Sequence, residues 1–470
     1  MKDIEVKIGQ KFPLTIKRLG INGEGIGYYK RKITFVPDAL PGEVVLTQVT
    51  KVNPRYLEGK VLKIRERAPE RVTPPCPVFF LCGGCQLQHM DYAAQLKFKQ
   101  QIIMDSLEKY AGHVQADKVK PTIGMAKPFR YRSKNQFPVE KSGRKIRAGL
   151  YKEQSNTLID LDECIVQDKR TMTTTQAVKA IMSELNIDVA KNVNKEEGVR
   201  YIMTRVAEET GDIQVILVST TSELKKLDLL TERIMRLPHV TSFGLNINHE
   251  RDLLTGEETI ILDGEQTLHE KIGETHYDVT TVSAFPINVS QTHVLYDEIV
   301  KAANLRGTEH VADLFCGAGG LAMKLAPHAR EVRGTDLKEQ EIINATYSAA
   351  ANRIDNCLFE IGEPADKLEE WINDGFYPDV ITINPDRSGL TAEEISVLNE
   401  IKPKRLVYVS RNPSALAKDL AHLTKAFDVE AIQPVDMFPQ TVQVEAVITL
   451  VRKRKLSKSI VSVTASRYNR

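Results

Sequence analysis

The chain has 470 residues, 42% hydrophobic and 27% charged, which excludes a disordered or fibrous protein and leaves room for two or three globular cores. Lys and Arg number 64 against 62 Asp and Glu, a formal net charge of +2, so any contact with nucleic acid has to come from local basic patches. No run approaches the roughly 18 apolar residues of a membrane span, and Met1-Lys2-Asp3-Ile4-Glu5 lacks an apolar leader core. A cytoplasmic protein without membrane contact is expected, its six cysteines acting as thiols or metal ligands.

In chain order, residues 1–66 read as short alternating strands, 11–18, 32–37 and 43–49, broken by Gly20, Gly23, Gly25 and Gly27, the pattern of a small OB-like β-barrel. Tyr28, Tyr29, Lys30, Arg31 and Lys32 lie between the first two strands and suit either base stacking with phosphate contact or a solvated hairpin edge. Residues 67–304 mix helices such as 93–110 with strands such as 213–219, 242–248 and 258–262, an α+β region that opens on an irregular loop carrying Cys76, Cys82 and Cys85. From 305 to 455 strands and helices alternate, which predicts a doubly wound α/β domain with a parallel sheet. A basic tail, 456–470, follows Arg452-Lys453-Arg454-Lys455.

Residues His310 to Gly320 run from an apolar strand, through Asp313, Phe315 and Cys316, into the turn Gly317-Ala318-Gly319-Gly320 and a helix over 321–326. Gly317 and Gly319 admit a ligand close to the backbone, and Asp336, at the end of the next strand, is placed to accept from ribose hydroxyls. A tight turn without a nucleotide is the alternative. The third glycine of a dinucleotide fingerprint is missing and Asp313 precedes the turn, which favours S-adenosylmethionine. The third strand would bring Glu363 near the adenine, and the fourth delivers Asn384-Pro385-Asp386-Arg387 to the same edge.

Cys76, Cys82 and Cys85 are spaced C-x5-C-x2-C, with Cys164 about eighty residues on. Three clustered thiolates and a distant fourth suit a structural [4Fe-4S] cluster or a zinc ion.

Taken together these motifs resemble the RNA uracil-C5 methyltransferase family, which makes 5-methyluridine in ribosomal and transfer RNA. The likeness runs nearly end to end. It includes Tyr131-Arg132-Ser133-Lys134-Asn135, Gly149-Leu150-Tyr151, Asn246-Ile247-Asn248, Asp313-Leu314-Phe315-Cys316-Gly317 and the segment from Phe438 to Glu445. The resemblance implies an RNA-binding TRAM barrel, an S-adenosylmethionine-dependent C-terminal domain, and a [4Fe-4S] site of the ribosomal RNA branch on Cys76, Cys82, Cys85 and Cys164. It also implies structured, ribosomal RNA as partner, a monomer, and Glu445 as the base that removes the C5 proton. Uracil C5 is a poor nucleophile, so such enzymes first add a cysteine thiolate at C6.

Four positions depart from the family pattern. Arg411 occupies the nucleophile's place in Val409-Ser410-Arg411-Asn412-Pro413, and a guanidinium that stays protonated cannot add to C6. Pro286 replaces the glutamine of a Phe-Phe-Gln-Val-Asn segment, Asn384 replaces the first acid of Asp-Pro-Pro-Arg, and Gln443 stands where histidine is common. The sequence therefore admits three outcomes: 5-methyluridine formation as the family implies, a catalytically inactive RNA-binding paralogue in RNA or ribosome assembly, or methylation of another RNA atom without a covalent adduct. Glu445 is either the surviving base or a salt-bridged carboxylate.

Overall fold

The computed structural model describes residues 6–153, 155–191, 196–281, 283 and 285–453; the expected tail at 456–470 lies outside them. The first region forms six strands, β1 (Lys11–Thr15), β2 (Arg18–Leu19), β3 (Gly25–Tyr29), β4 (Lys32–Val36), β5 (Val44–Val52) and β6 (Tyr56–Glu66), in the order β1-β5-β6-β4-β3-β2. Alternation decides the inner face: β1 buries Phe12 and Leu14 and exposes the residues between them. The expected strand 11–18 divides into β1 and β2. β3 reaches β1 because it carries Gly27, where a Cβ would lie 2.6 Å from the Thr15 carbonyl oxygen. Phe12 and Tyr29 then stack with ring centroids 3.5 Å apart, which removes Tyr29 from the exposed aromatic set and leaves Tyr28. Lys30 and Arg31 form the tip of the β3–β4 hairpin with φ of 48° and 67°, a strained conformation for non-glycine residues that presents two cations to solvent.

Helix α1 (Tyr92–Tyr110) starts where Asp91 caps it, its carboxylate accepting from the Ala94 amide at 2.9 Å. The middle sheet follows: β7 (Lys134–Ser142), β8 (Lys145–Tyr151), β9 (Leu158–Asp160), α2 (Lys169–Leu185), β10 (Val199–Val206), β11 (Ile213–Ser219), α3 (Leu227–Met235), β12 (Val240–Ile247) and β13 (Glu258–Gly264). Its seven strands lie in the order β13-β12-β11-β10-β7-β8-β9, and both helices share one core with Phe137, Val215 and Phe243. A hairpin, β14 (Leu268–Ile272) and β15 (Thr275–Val279), and helix α4 (Val289–Ala303) lead into the last sheet.

That sheet alternates as the pattern predicts: β16 (His310–Leu314), α5 (Gly320–Leu325), β17 (Glu331–Asp336), α6 (Glu339–Ala351), β18 (Cys357–Ile361), α7 (Pro364–Asn373), β19 (Val380–Ile383), α8 (Ala392–Ile401), β20 (Arg405–Ser410), α9 (Pro413–Leu423), β21 (Phe427–Val435) and β22 (Glu445–Arg452). In the order β18-β17-β16-β19-β20-β22-β21 six strands run in one direction, with β22 inserted antiparallel between β20 and β21. The direction of winding reverses at β16, which opens a crevice at its carboxyl end. Elements from earlier in the chain cover both faces of this sheet. Ile102, Ile103 and Leu107 of α1 share a core with Leu416, Leu420 and Ile448, while Leu268, Tyr277 and Leu295 share another with Val311 and Leu321. No helix among the described residues is long and apolar enough to cross a membrane.

Residues 436–440, just before β22, are held by α1, by Tyr131 and by Asn288. Lys99 on α1 is fully buried, and its ammonium donates to Asp436 Oδ1 at 2.5 Å and to the Phe438 carbonyl at 3.1 Å. Tyr92 donates to Asp436 Oδ2 at 2.9 Å, and Gln95 exchanges hydrogen bonds with the Gln440 side chain and amide. Tyr131 donates to the Pro439 carbonyl and Asn288 to that of Met437. Burial pulls the Lys99 ammonium down and the Asp436 carboxylate pulls it back up; burial wins, and the pair is mutually dependent. Lys99→Met, which leaves Asp436 buried without its cation, is expected to cost about 3–5 kcal/mol in chemical denaturation, with part regained in Lys99→Met/Asp436→Leu. A Lys99→Met midpoint equal to wild type would show the pair to be dispensable.

Candidate active site at the edge of the parallel sheet

The turn after β16 takes its shape from positive φ at Phe315 (61°), Gly317 (52°) and Gly319 (76°). The two glycines serve different ends. A Cβ on Gly317 would meet nothing within 4 Å, so its backbone faces open space, whereas one on Gly319 would lie 2.8 Å from the Phe359 ring and 2.9 Å from Ala345. The turn is therefore pressed down on α6 and β18 and open above.

Asp336, at the end of β17, accepts from the Gly317 amide through Oδ2 at 3.0 Å and from the Lys338 amide through Oδ1 at 3.1 Å, tying two strand ends together. Leu337 and Ile361 beside it are each 51% exposed, an apolar pair that sequence reasoning missed, although Leu337 follows the strand-end acid directly. Glu363 is exposed at the start of α7. Asp313 lies beneath the turn, buried, with Oδ1 accepting from the Thr382 hydroxyl at 2.5 Å and Oδ2 without a partner among the described residues. Burial pushes its carboxyl up to about 7, and the nearby Asp336 adds to the rise.

The opposite wall comes from the ends of β19, β20 and β22. Asn412 caps α9 by accepting from the Ser414 amide, with Pro413 at the first helical position, which leaves Arg411 exposed at the strand-to-helix bend. Its Nη2 donates to Asn384 Oδ1 at 3.3 Å, and Asn384 is anchored through its amide to the Leu314 carbonyl. Glu445 opens β22, beside the pairing of Ala446 with Ser410. It is buried, which pushes its carboxyl up, while the guanidinium charges of Arg411 and Arg387 pull it back only in part. No ion pair joins it to either arginine among the described residues. Gln443 points outward and Pro286 is half-buried. Cys316 is buried under the turn with its thiol pushed well above the usual range by burial, and Cys357 opens β18, pushed up to about 12 for the same reason, so neither is an accessible thiolate.

Cys76, Cys82, Cys85 and Cys164 gather elsewhere, around a cavity of about 400 Å³ that they line together with Tyr131 and Arg132. Burial raises Cys82, Cys164 and, up to about 12, Cys85, and the neighbouring thiols add to the rise. None is in a disulfide. Among the described residues no three His, Cys, Asp or Glu side chains are arranged to hold a single metal ion.

A TRAM domain model matches residues 5–62, and a tRNA (uracil-5-)-methyltransferase model matches residues 265–453. RNA methyltransferases of Bacillus cereus and Halalkalibacterium halodurans are 42% and 44% identical, each aligning over 96% of this chain and 98% of the relative. One of Listeria monocytogenes is 42% identical over 97% of this chain and 100% of the relative. The chain belongs to this family of RNA methyltransferases. The solved tRNA (uracil-54, C5)-methyltransferase of Pyrococcus abyssi, in complex with S-adenosyl-L-homocysteine, superposes with a TM-score of 0.74 at 26% identity, over 93% of this chain and 99% of that one. The fold of the methyltransferase is thus an N-terminal TRAM barrel followed by an S-adenosylmethionine-dependent domain of the uracil-C5 type, and its substrate is RNA.

Asp313 gives a pH signature. Its folded-state carboxyl holds a proton up to about pH 7, against an ordinary value of 3.8, so between these limits the folded protein binds more protons than the unfolded chain. Stability from this group is present below the lower value and is lost as pH rises through the window. Asp313→Asn, which cannot ionise, is expected to flatten the fall in unfolding free energy between pH 4.5 and 7.5; an unchanged slope would place the effect elsewhere.

Proposed function

We propose that this methyltransferase-family protein binds S-adenosylmethionine and structured RNA but does not form the covalent C6 adduct, so that it acts as a binding paralogue in RNA or ribosome assembly. The single observation that carries this reading is Arg411, hydrogen-bonded to Asn384 where the family places its nucleophile. A protonated guanidinium has no lone pair for C6, and neither remaining cysteine of the sheet domain is an exposed thiolate. Without the enolate that a thiolate creates, Glu445 has no C5 proton to remove. Its carboxyl then stays buried within the field of Arg411 and Arg387, without an ion pair to either among the described residues.

The cofactor is assigned to Asp313, Phe315, Gly317, Gly319, Asp336, Glu363 and Asn384. Gly317 offers an unobstructed backbone, and Leu337 and Ile361 offer apolar faces to a purine. When bound, S-adenosylmethionine supplies an electrophilic methyl group. The family's flipped-base geometry brings the RNA to Arg411, where a guanidinium suits a base carbonyl or a phosphate oxygen. The four cysteines fit a [4Fe-4S] cluster better than zinc, because four thiols share one cavity while no single-ion arrangement exists among the described residues. Held there, a cluster would staple the loop 76–85 to the segment around Cys164 and so fix the barrel's linker. Ribosomal RNA as the target and a monomeric state are what the resemblance to the family implies.

Incubation with methyl-labelled S-adenosylmethionine and total RNA is expected to give no labelled 5-methyluridine, while filter binding retains RNA affinity. Labelled 5-methyluridine would overturn the proposal, and a different methylated nucleoside would point to transfer without an adduct. Arg411→Cys alone is expected to restore little activity, because Pro286 and Asn384 also differ; full restoration would show those two changes harmless. Anaerobic reconstitution with iron and sulfide is expected to give about four irons per chain, reduced by more than half in Cys85→Ser; equal loading of both proteins would remove the cluster assignment.

A further inference from the structure

We infer that the Tyr296 hydroxyl donates a hydrogen bond to the carboxylate at the amino-acid end of S-adenosylmethionine. The inference rests on the cofactor reading above and adds a residue to it from a helix outside the sheet. Tyr296 is on α4, whose first residue is fixed by Asn288: this side chain caps the helix at the Gln291 amide and donates to the Met437 carbonyl at 2.8 Å. The helix axis therefore cannot drift from the 436–440 segment, and the phenol is aimed at the start of α5. A Cβ on Gly320 would lie 2.7 Å from Tyr296 Oη and 3.6 Å from Tyr277 Oη, so Gly320 is bare because a hydroxyl occupies the space.

The two phenols differ in one respect. Tyr277 donates to the Gly320 carbonyl at 3.4 Å, whereas Tyr296 makes no hydrogen bond among the described residues. Its hydroxyl is not among the fully buried polar atoms that lack a partner, so it stays open to a ligand's acceptor or to water. The charged groups it faces are Asp313 at the end of β16, Arg411 after β20 and Glu445 at the start of β22. All three lie on the half of the sheet running from β16 to β22, while Asp336, Leu337 and Ile361 lie on the other half, at β17 and β18. A ligand with its nucleoside over β17 and β18 would extend its amino-acid end towards β16 and β19, the half of the sheet near Tyr296. Burial and the two carboxylates keep the phenol protonated, hence a donor throughout the working pH range.

The test compares two ligands by calorimetry. S-adenosylhomocysteine carries the amino-acid end, and 5′-methylthioadenosine has the same nucleoside and thioether without it. Tyr296→Phe is expected to bind S-adenosylhomocysteine about fivefold more weakly and 5′-methylthioadenosine as wild type does. Gly320→Ala, which displaces the hydroxyl without removing it, is expected to show the same selective loss. Equal weakening of both ligands in both variants would show that the phenol only supports the turn, and no weakening of either would also overturn the assignment. If the wild-type protein bound neither ligand, the cofactor reading itself would fall, a result distinguishable from failure of Tyr296 alone.

Discussion

The buried pair of Lys99 and Asp436 is the constraint on which the rest of the site depends. Lys99 is far from the parallel sheet in sequence, yet its ammonium fixes the segment that ends at β22, and β22 carries Glu445. Charge burial makes this tie all-or-none: with both partners in place the loop has one conformation, and with either missing an uncompensated charge remains in the core. Gln95 and Tyr131 add neutral hydrogen bonds to the same segment, so a polar seam accompanies the apolar core that the middle region shares with the last sheet.

On the sheet edge, two kinds of charge divide the work. The cofactor side carries Asp313 and Asp336 on adjacent strands, the first buried with its carboxyl pushed up by burial, the second accepting from two backbone amides. The far side is basic, with Arg387 and Arg411 around a buried carboxyl group. An anionic or carbonyl-rich RNA group suits this far side. Arg411 thus sets the electrostatic character of this wall.

The sequence was most informative where chemistry is local. The strand, glycine turn and helix of β16 and α5 and the parallel order implied by alternating elements follow from short-range patterns whose period or turn chemistry is fixed within a dozen residues. The grouping of Cys164 with the three loop cysteines was legible because thiols in such a pattern have few other uses. What was hidden depends on long-range packing. Nothing in the α1 sequence says that Lys99 is fully buried, since an amphipathic helix normally turns its lysines to water; only its partner 337 residues away explains it. The ties from Asp336 to the Gly317 and Lys338 amides were equally hidden, because they depend on register between two strands. The hairpin tip at Lys30 and Arg31 was visible as composition but not as strain, because the left-handed backbone there contradicts the ordinary preference of both residues.

The antiparallel insertion of β22 has a consequence for the order in which the molecule is made. A strand running against its neighbours begins where they end, so Glu445 reaches the active edge only because the chain has already laid down β16, β19 and β20 and then returned between β20 and β21. Synthesis proceeds from the amino terminus, and the RNA-binding barrel can close while the sheet is still missing an interior strand. A nascent chain would therefore pass through a stage that has its RNA-binding barrel but only half of its pocket, and completion of the site would coincide with the last strand slipping into place.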